Sequence, residues 1–378
     1  MQAPSGLTMV GNKEEERMMS DLKGLTAALC LGALIAATPA TAADDFYQGK
    51  RLTVLINFAV GGPTDIEGRL FAKHIGKHLA GTPTIIVQNM DGGGGATGTN
   101  FLGEVAPKDG TVIGYLTGVA WRYVNIKERS RVDFLSYNMI AYQPGTTVYY
   151  VRSNVEPGIK VAGDILKAQN LVVGGLTADS SKDILERLCL DLLDVKYKYV
   201  TGYTSNSTAR LALQRNEINM FAESPPGYVS AVAPALVASG EVVPLFFDPG
   251  YNGKRFSRPA QAQGLDMKPF HEFLRDVKGR EPEGKLWDIY KKAIAINGAM
   301  QRLVAFPPGT PKPAMDTMRE AIRKLATDQE FASDALKTVG FVPDYEAGDN
   351  VQAEVTAALS LPEEDRKFIA DYIARGQK

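Results

Sequence analysis

The sequence predicts an α/β protein of two lobes joined by two crossing strands. Three observations carry that reading. Short apolar runs alternate with amphipathic helical stretches over residues 52–118, and the pattern repeats over 171–223. Each run ends in a glycine-, serine- or threonine-rich loop just before the next helix. A chain of 378 residues is also too long for one ordinary core.

In chain order, Leu52, Val54, Leu55, Ile56 and Phe58 form the first strand. Gly61 and Gly62 turn the chain, and Pro63-Thr64 opens an amphipathic helix. Ile66, Leu70, Phe71, Ile75 and Leu79 share its apolar side, with Glu67, Arg69, Lys73 and Lys77 opposite. Thr84–Val87 is a second strand, running into Asp91-Gly92-Gly93-Gly94-Gly95-Ala96-Thr97-Gly98 and a helix near 99–105. Thr111–Leu116 is a third, ending at Thr117-Gly118. Short loops between parallel strands put all three glycine turns at one edge of the sheet, where α/β ligands gather.

The run 146–152 reads as the crossing out of the first lobe. The second unit then comprises strand 171–173, the loop GLTADSS, and a helix capped by Ser180 or Ser181. Strand 197–200, a helix opened by 204–207 and strand 218–221, ending at Glu223, complete it. Residues 242–247 carry the chain back. These readings divide the chain into a leader (1–43), a first lobe (44–146), a second lobe (147–246) and a return to the first lobe (247–378).

The leader carries Lys23, an apolar run of 13 residues from Leu25 to Ala37, and Pro39-Ala40-Thr41-Ala42. That run is too short for a bilayer span but suits a secretory signal cleaved near Ala42 or Ala43. Met18 or Met19 would make a better start than Met1, and Leu29 before Cys30 argues against lipidation. Net charge is −1, and residues 1–43 hold three basic and four acidic side chains, so the remaining chain is neutral. No basic stripe invites nucleic acid. The mature chain keeps one cysteine, Cys189, which reads as a buried small hydrophobe.

Several motifs admit chemistry. Gly93–Gly98 matches G-x-G-x-x-G, but it follows the second strand and lacks a downstream acid for a ribose. What survives is a nest of bare N–H groups for a small anion, with a plain strand–helix turn as the alternative. His74 and His78 are one helical turn apart without a third ligand, which reads as a solvated basic face. His271 is isolated, and no G-x-S-x-G occurs, so no catalytic residue, metal or cofactor is expected. Asp65 either faces the ligand or braces its loop, and Glu223 has the same two readings.

The exported leader, FAVGGPTD (58–65), QNMDGGGGATG (88–98) and PKDGT (107–111) together resemble the substrate-binding proteins of tripartite tricarboxylate transporters, the Bug-type receptors. PPGTP at 307–311 and Asp328-Gln329-Glu330-Phe331 extend the resemblance over the mature chain. Val60 replaces a proline, and the second-lobe loops follow the pattern loosely. The resemblance implies a type II, flytrap-like periplasmic binding protein, a small carboxylate ligand, membrane transporter subunits as partners, and a monomer. Carried over by position, the ligand contacts are Phe58, Ala59, Gly61, Gly62, Thr64, Asp65, Gly94, Gly95, Ala96, Thr97 and Thr117. From beyond them come Trp121, Thr177, Ser180, Tyr203 and Glu223. No Lys or Arg lies in these loops, so the expected ligand is an aromatic or hydroxylated monoacid, held by helix ends and backbone N–H groups. An exported enzyme acting on a carboxylate or ester is the alternative.

Overall fold

The computed structural model describes residues 46–125 and 131–376; the leader, with its cleavage site and Cys30, lies outside them. Five stretches build the first sheet's leading half: β1 (Arg51–Ile56), α1 (Pro63–Ile75), β2 (Thr84–Asn89), α2 (Ala96–Glu104) and β3 (Val112–Leu116). The apolar run of β1 pairs parallel with β2 on one side and β3 on the other. Leu55 packs into one core cluster and Leu52, Val54 and Ile56 into another, and this burial on both faces explains the continuous rather than alternating pattern. After α3 (Val119–Asn125), β4 (Asn138–Gln143) ends the lobe's first pass.

The second sheet contains β5 (Val148–Arg152), β6 (Leu171–Gly175), β7 (Tyr197–Thr201), β8 (Met220–Glu223) and β9 (Val242–Phe247), with α4 (Ser181–Leu192) and α5 (Asn206–Gln214) between them. Its order is β7-β6-β8-β5-β9. β6 is parallel to β7 and β8, while β5 runs antiparallel between β8 and β9.

A hairpin, β10 (Gly250–Tyr251) with β11 (Phe256–Ser257), then leads to α6 (Phe270–Lys278) and α7 (Lys285–Ala299). α6 packs beside β9, and α7 packs on α4 and the hairpin. The chain returns to the first sheet as β12 (Arg302–Phe306), antiparallel between β3 and β4, and β13 (Glu346–Ala347) closes the order β13-β4-β12-β3-β1-β2. Helices α8 (Lys312–Ala326), α9 (Gln329–Thr338), α10 (Val351–Ala358) and α11 (Glu363–Arg375) complete the chain.

The two lobes repeat one plan: three parallel strands, with an antiparallel strand from the crossing laid beside the third. The crossings run side by side. Gly145 N–H donates to Gly298 O at 2.7 Å, and the Gln301 side-chain amide donates to Thr146 O at 2.5 Å. One apolar cluster is continuous across them, joining Leu55, Leu116 and Leu303 of the first sheet to Val173 and Met220 of the second and Leu185 of α4.

Two readings of helix α1 change. Glu67, placed on its polar side, is fully buried against Arg302 of β12 and Gln143 of β4. His74 and His78 are not solvated: their Nε2 atoms lie 2.9 Å from Asp334 and 2.8 Å from Asp328 of α9. The two histidines are docking contacts between helices.

Candidate functional site

All six parallel strands end at one cavity. Its wall includes Phe58, Ala59, Gly62 and Thr64 after β1, Gly94 after β2, and Thr117 and Gly118 after β3. Facing them are Leu176, Ser180 and Lys182 after β6, Ser205 and Asn206 after β7, and Ser224 after β8. The cavity is about 90 Å³, against roughly 10–15 Å³ for one water on the same measure. It has room for a small molecule.

The first-lobe wall is shaped by backbone, and one side chain ties its three loops. Asn57 is fully buried; its amide N–H donates to Gly95 O at 3.2 Å and Thr117 O at 3.0 Å, and its Oδ1 accepts from Thr117 N–H at 3.0 Å. Gly95 has φ of +95°, and a Cβ there would lie 2.6 Å from the Asn57 amide nitrogen and 2.9 Å from the Phe58 ring. Gly95 thus shapes the loop from behind rather than touching the cavity. Asp65 also braces: it accepts from Gly61 N–H at 2.9 Å, Arg69 Nε at 2.8 Å and Asn89 Nδ2 at 2.9 Å. Gly62 caps α1 with no side-chain hydrogen bond, which leaves that helix start to the cavity.

The second-lobe wall is built from side chains. Ser180 Oγ accepts from Asp183 N–H at 3.2 Å and caps α4; Ser205 Oγ accepts from Thr208 N–H at 3.1 Å and caps α5. Helix starts from both lobes therefore face one space, each favouring an anion by roughly 0.3–1 kcal/mol, up to about 2 where partly buried.

Two cations complete the lining, against the expectation of none. Arg302, at the start of β12, is buried, with its Nε on Glu67 and Nη1 donating to Thr117 Oγ1 at 3.1 Å. Its Nη2 donates to Ser224 Oγ at 3.0 Å, so the guanidinium spans both lobes. Burial pushes the Glu67 carboxyl upward, opposed by Arg302 and by Gln143 at 3.3 Å. Lys182 Nζ lies 2.5 Å from Asp183 and 4.3 Å from the Phe221 ring centroid. The sequence placed neither: Arg302 comes from a strand beyond the loops, and Lys182 follows a helix cap, where charge ordinarily meets solvent.

Other expected contacts lie elsewhere. Glu223 is fully buried away from the cavity, 2.6 Å from Arg210 and accepting from Tyr150 OH at 2.8 Å. It does not line the cavity, and Arg210 matches its charge. Trp121 is buried, its Nε1 donating to Asp179 O at 3.1 Å, so it joins the lobes instead of touching the ligand space. Tyr203 packs on the second-lobe core. Gly61 is the exposed loop tip, whose carbonyl accepts from Ser207 Oγ at 3.5 Å across the cleft mouth. Thr97 is exposed; Ala96, Thr97 and Thr177 are outside the lining. Thr147, Asn297 and Gln301 of the crossings do line it, a contribution no loop motif signals.

No family profile matches the sequence. A UPF0065 protein from the TAR-I ttuE-ttuC' intergenic region of Agrobacterium vitis is 30% identical over 42% of this chain and 46% of its own length, so that match spans about half of the relative. A UPF0065 protein in the gbd 5' region of Cupriavidus necator is 27% identical over 72% of this chain and 83% of its own. Among solved structures, periplasmic binding protein BugD superposes with a TM-score of 0.61 at 18% identity, covering 88% of this chain and 99% of its own. R. palustris Rpa4515 with adipate gives 0.65 at 16% identity over 86% and 97%. MatC of Rhodopseudomonas palustris with bound malate gives 0.58 at 17% over 85% and 99%. The chain has the fold of the Bug-type periplasmic binding proteins, as the resemblance of its loops implies.

Proposed function

We propose that this protein is a periplasmic solute-binding receptor that captures a small carboxylate between its lobes and delivers it to a tripartite tricarboxylate-type membrane transporter. The observation that carries this is the convergence of helix starts from both lobes on one small cavity that also holds Arg302 and Lys182. Anion binding there needs no chemistry, and closure strengthens each contact by excluding water.

Phe58, Ala59, Gly62, Thr64, Gly94, Thr117 and Ser180 are the contacts we retain from the loops. Ser181, Lys182, Ser205, Asn206, Ser224 and Arg302 join them. An aromatic or hydroxylated monoacid suits a wall without cations that Glu223 and Trp121 face. With those premises gone, a diacid fits the lining at least as well. Adipate and malate, present in two proteins of the same fold, are the first probes.

No helix among the described residues is long and apolar enough to cross a membrane. The reading therefore places the membrane step in partner subunits. A thermal-shift panel of mono- and dicarboxylates, followed by mass spectrometry of the released ligand, tests it. The expected result is a raised melting temperature with at least one acid, recovered unchanged. Conversion of the acid would favour the exported-enzyme alternative.

A further inference from the structure

Behind Lys182 lies a carboxyl group that the receptor reading does not use. Glu186, one turn along α4, is fully buried, and neither of its carboxylate oxygens has a hydrogen-bond partner among the described residues. Lys182 Nζ, at 3.8 Å, is the cation beside it, and Lys182 also lines the cavity. Resting on the receptor reading, we propose that Glu186 is a proton-binding site coupled to the cleft: capture of an anionic ligand beside Lys182 is accompanied by a proton held on the Glu186 carboxyl.

Charge couples the two groups. Lys182 is matched by Asp183, whose other oxygen accepts from Thr177 N–H at 3.0 Å and Tyr199 OH at 2.8 Å. Glu223 of β8 is matched by Arg210 of α5. Arg187 is committed to Ala178 O at 2.8 Å. The remaining titratable groups in electrostatic reach of Glu186 are Cys189, Tyr150 and Asp248. Asp248 is held by Tyr149 OH at 2.8 Å and Tyr290 OH at 2.9 Å. An ionised Glu186 would therefore lean first on Lys182 and, more weakly, on Arg187. Lys182 Nζ itself is buried, so an anion entering the cleft acts on the pair through its added negative charge, which favours the protonated carboxyl. The proton is taken from solvent and sits on a Glu186 oxygen; no other bond changes.

Burial already raises Glu186 to about 8 without ligand, with Lys182 opposing the shift. Bound anion raises it further. Between the free and bound values the complex holds one more proton, so affinity is flat below pH 7 and falls as pH rises past 8, toward tenfold per unit.

The test begins without ligand. Acid–base titration of the wild type and Glu186→Gln, an isosteric change, should differ by one proton released near pH 8. Lys182→Met should move that release to higher pH; identical titration curves in all three would overturn the proposal. Asp248→Asn, whose parent carboxyl is raised to about 7, controls for the neighbouring group and should leave the pH 8 event in place. Calorimetry with adipate then reads the link: the wild-type dissociation constant should rise toward tenfold per unit between pH 8 and 9, and that of Glu186→Gln should stay flat. A pH-independent wild-type affinity would overturn the coupling. If adipate fails to bind at every pH, the receptor reading is what suffers, while the ligand-free titrations still decide whether Glu186 holds a proton under Lys182's control. Should Lys182→Met not fold, Glu186→Gln alone carries that decision.

Discussion

In the first lobe the wall of the cleft is backbone: glycine turns held open from behind by Asn57 and Asp65. In the second lobe, built on the same strand plan, the wall is serine caps and an ion pair: Ser180, Ser205, and Lys182 with Asp183. The first wall offers N–H groups whose positions are fixed whatever binds, because loop geometry sets them. The second offers side chains that differ in charge and reach. The contrast assigns anion capture to the first lobe and discrimination among anions to the second, with Arg302 touching both. Each of the following expectations is a way to break that division.

The largest effect is expected at the shared residue. Arg302→Met leaves Glu67 buried without its cation and should destabilise the protein by about 3–5 kcal/mol in denaturant unfolding. Adding Glu67→Gln should recover much of that loss. If the single variant is as stable as wild type, the pair is not what joins β12 to α1.

Next comes the first wall. Gly95→Val puts a branched side chain at a φ of +95°, within 3 Å of Asn57 and Phe58. Strain and overpacking together should cost roughly 2–4 kcal/mol and abolish carboxylate binding. Because Gly95 packs against Asn57, binding and stability should fall together. The matching change in the second wall is milder. Ser205→Ala removes a helix cap and should cost about 1 kcal/mol while altering which acids bind best. An unchanged ranking across a carboxylate panel would place discrimination elsewhere.

How much of this was legible follows the same divide. The first-lobe strands, the glycine loops and the family resemblance were readable because backbone needs leave a local signature: apolar run, glycine turn, helix start. Asp65 could not be resolved between bracing and binding, since its partner Asn89 is 24 residues away. Ion pairs that form only on folding were invisible. Glu67 meets Arg302 across 235 residues, so Glu67 reads as a polar helix position and Arg302 as the edge of an apolar run. The second lobe's burial of Glu223 against Arg210 is the same failure at shorter range.

The smallest expected effect lies outside the cleft. Lys73 and His74 of α1 hold the Asp334 carboxyl down at about 2. A carboxyl depressed on folding contributes stability above its unfolded value near 4, and that contribution is lost as pH falls toward 2. Asp334 is partly exposed, so Asp334→Asn should cost under about 1 kcal/mol at pH 6 and nothing at pH 2, read by urea unfolding. A loss that persists at pH 2 would mean the side chain acts through packing instead.

The claim on which the rest depends is that one small acid touches both walls at once. Amide NMR of the isotope-labelled protein titrated with adipate tests it directly. The account predicts shifts in slow or intermediate exchange at Gly62, Thr64, Gly94 and Thr117 together with Ser180, Lys182 and Ser205. Shifts confined to one wall, or at residues remote from the strand ends, would contradict capture between the lobes.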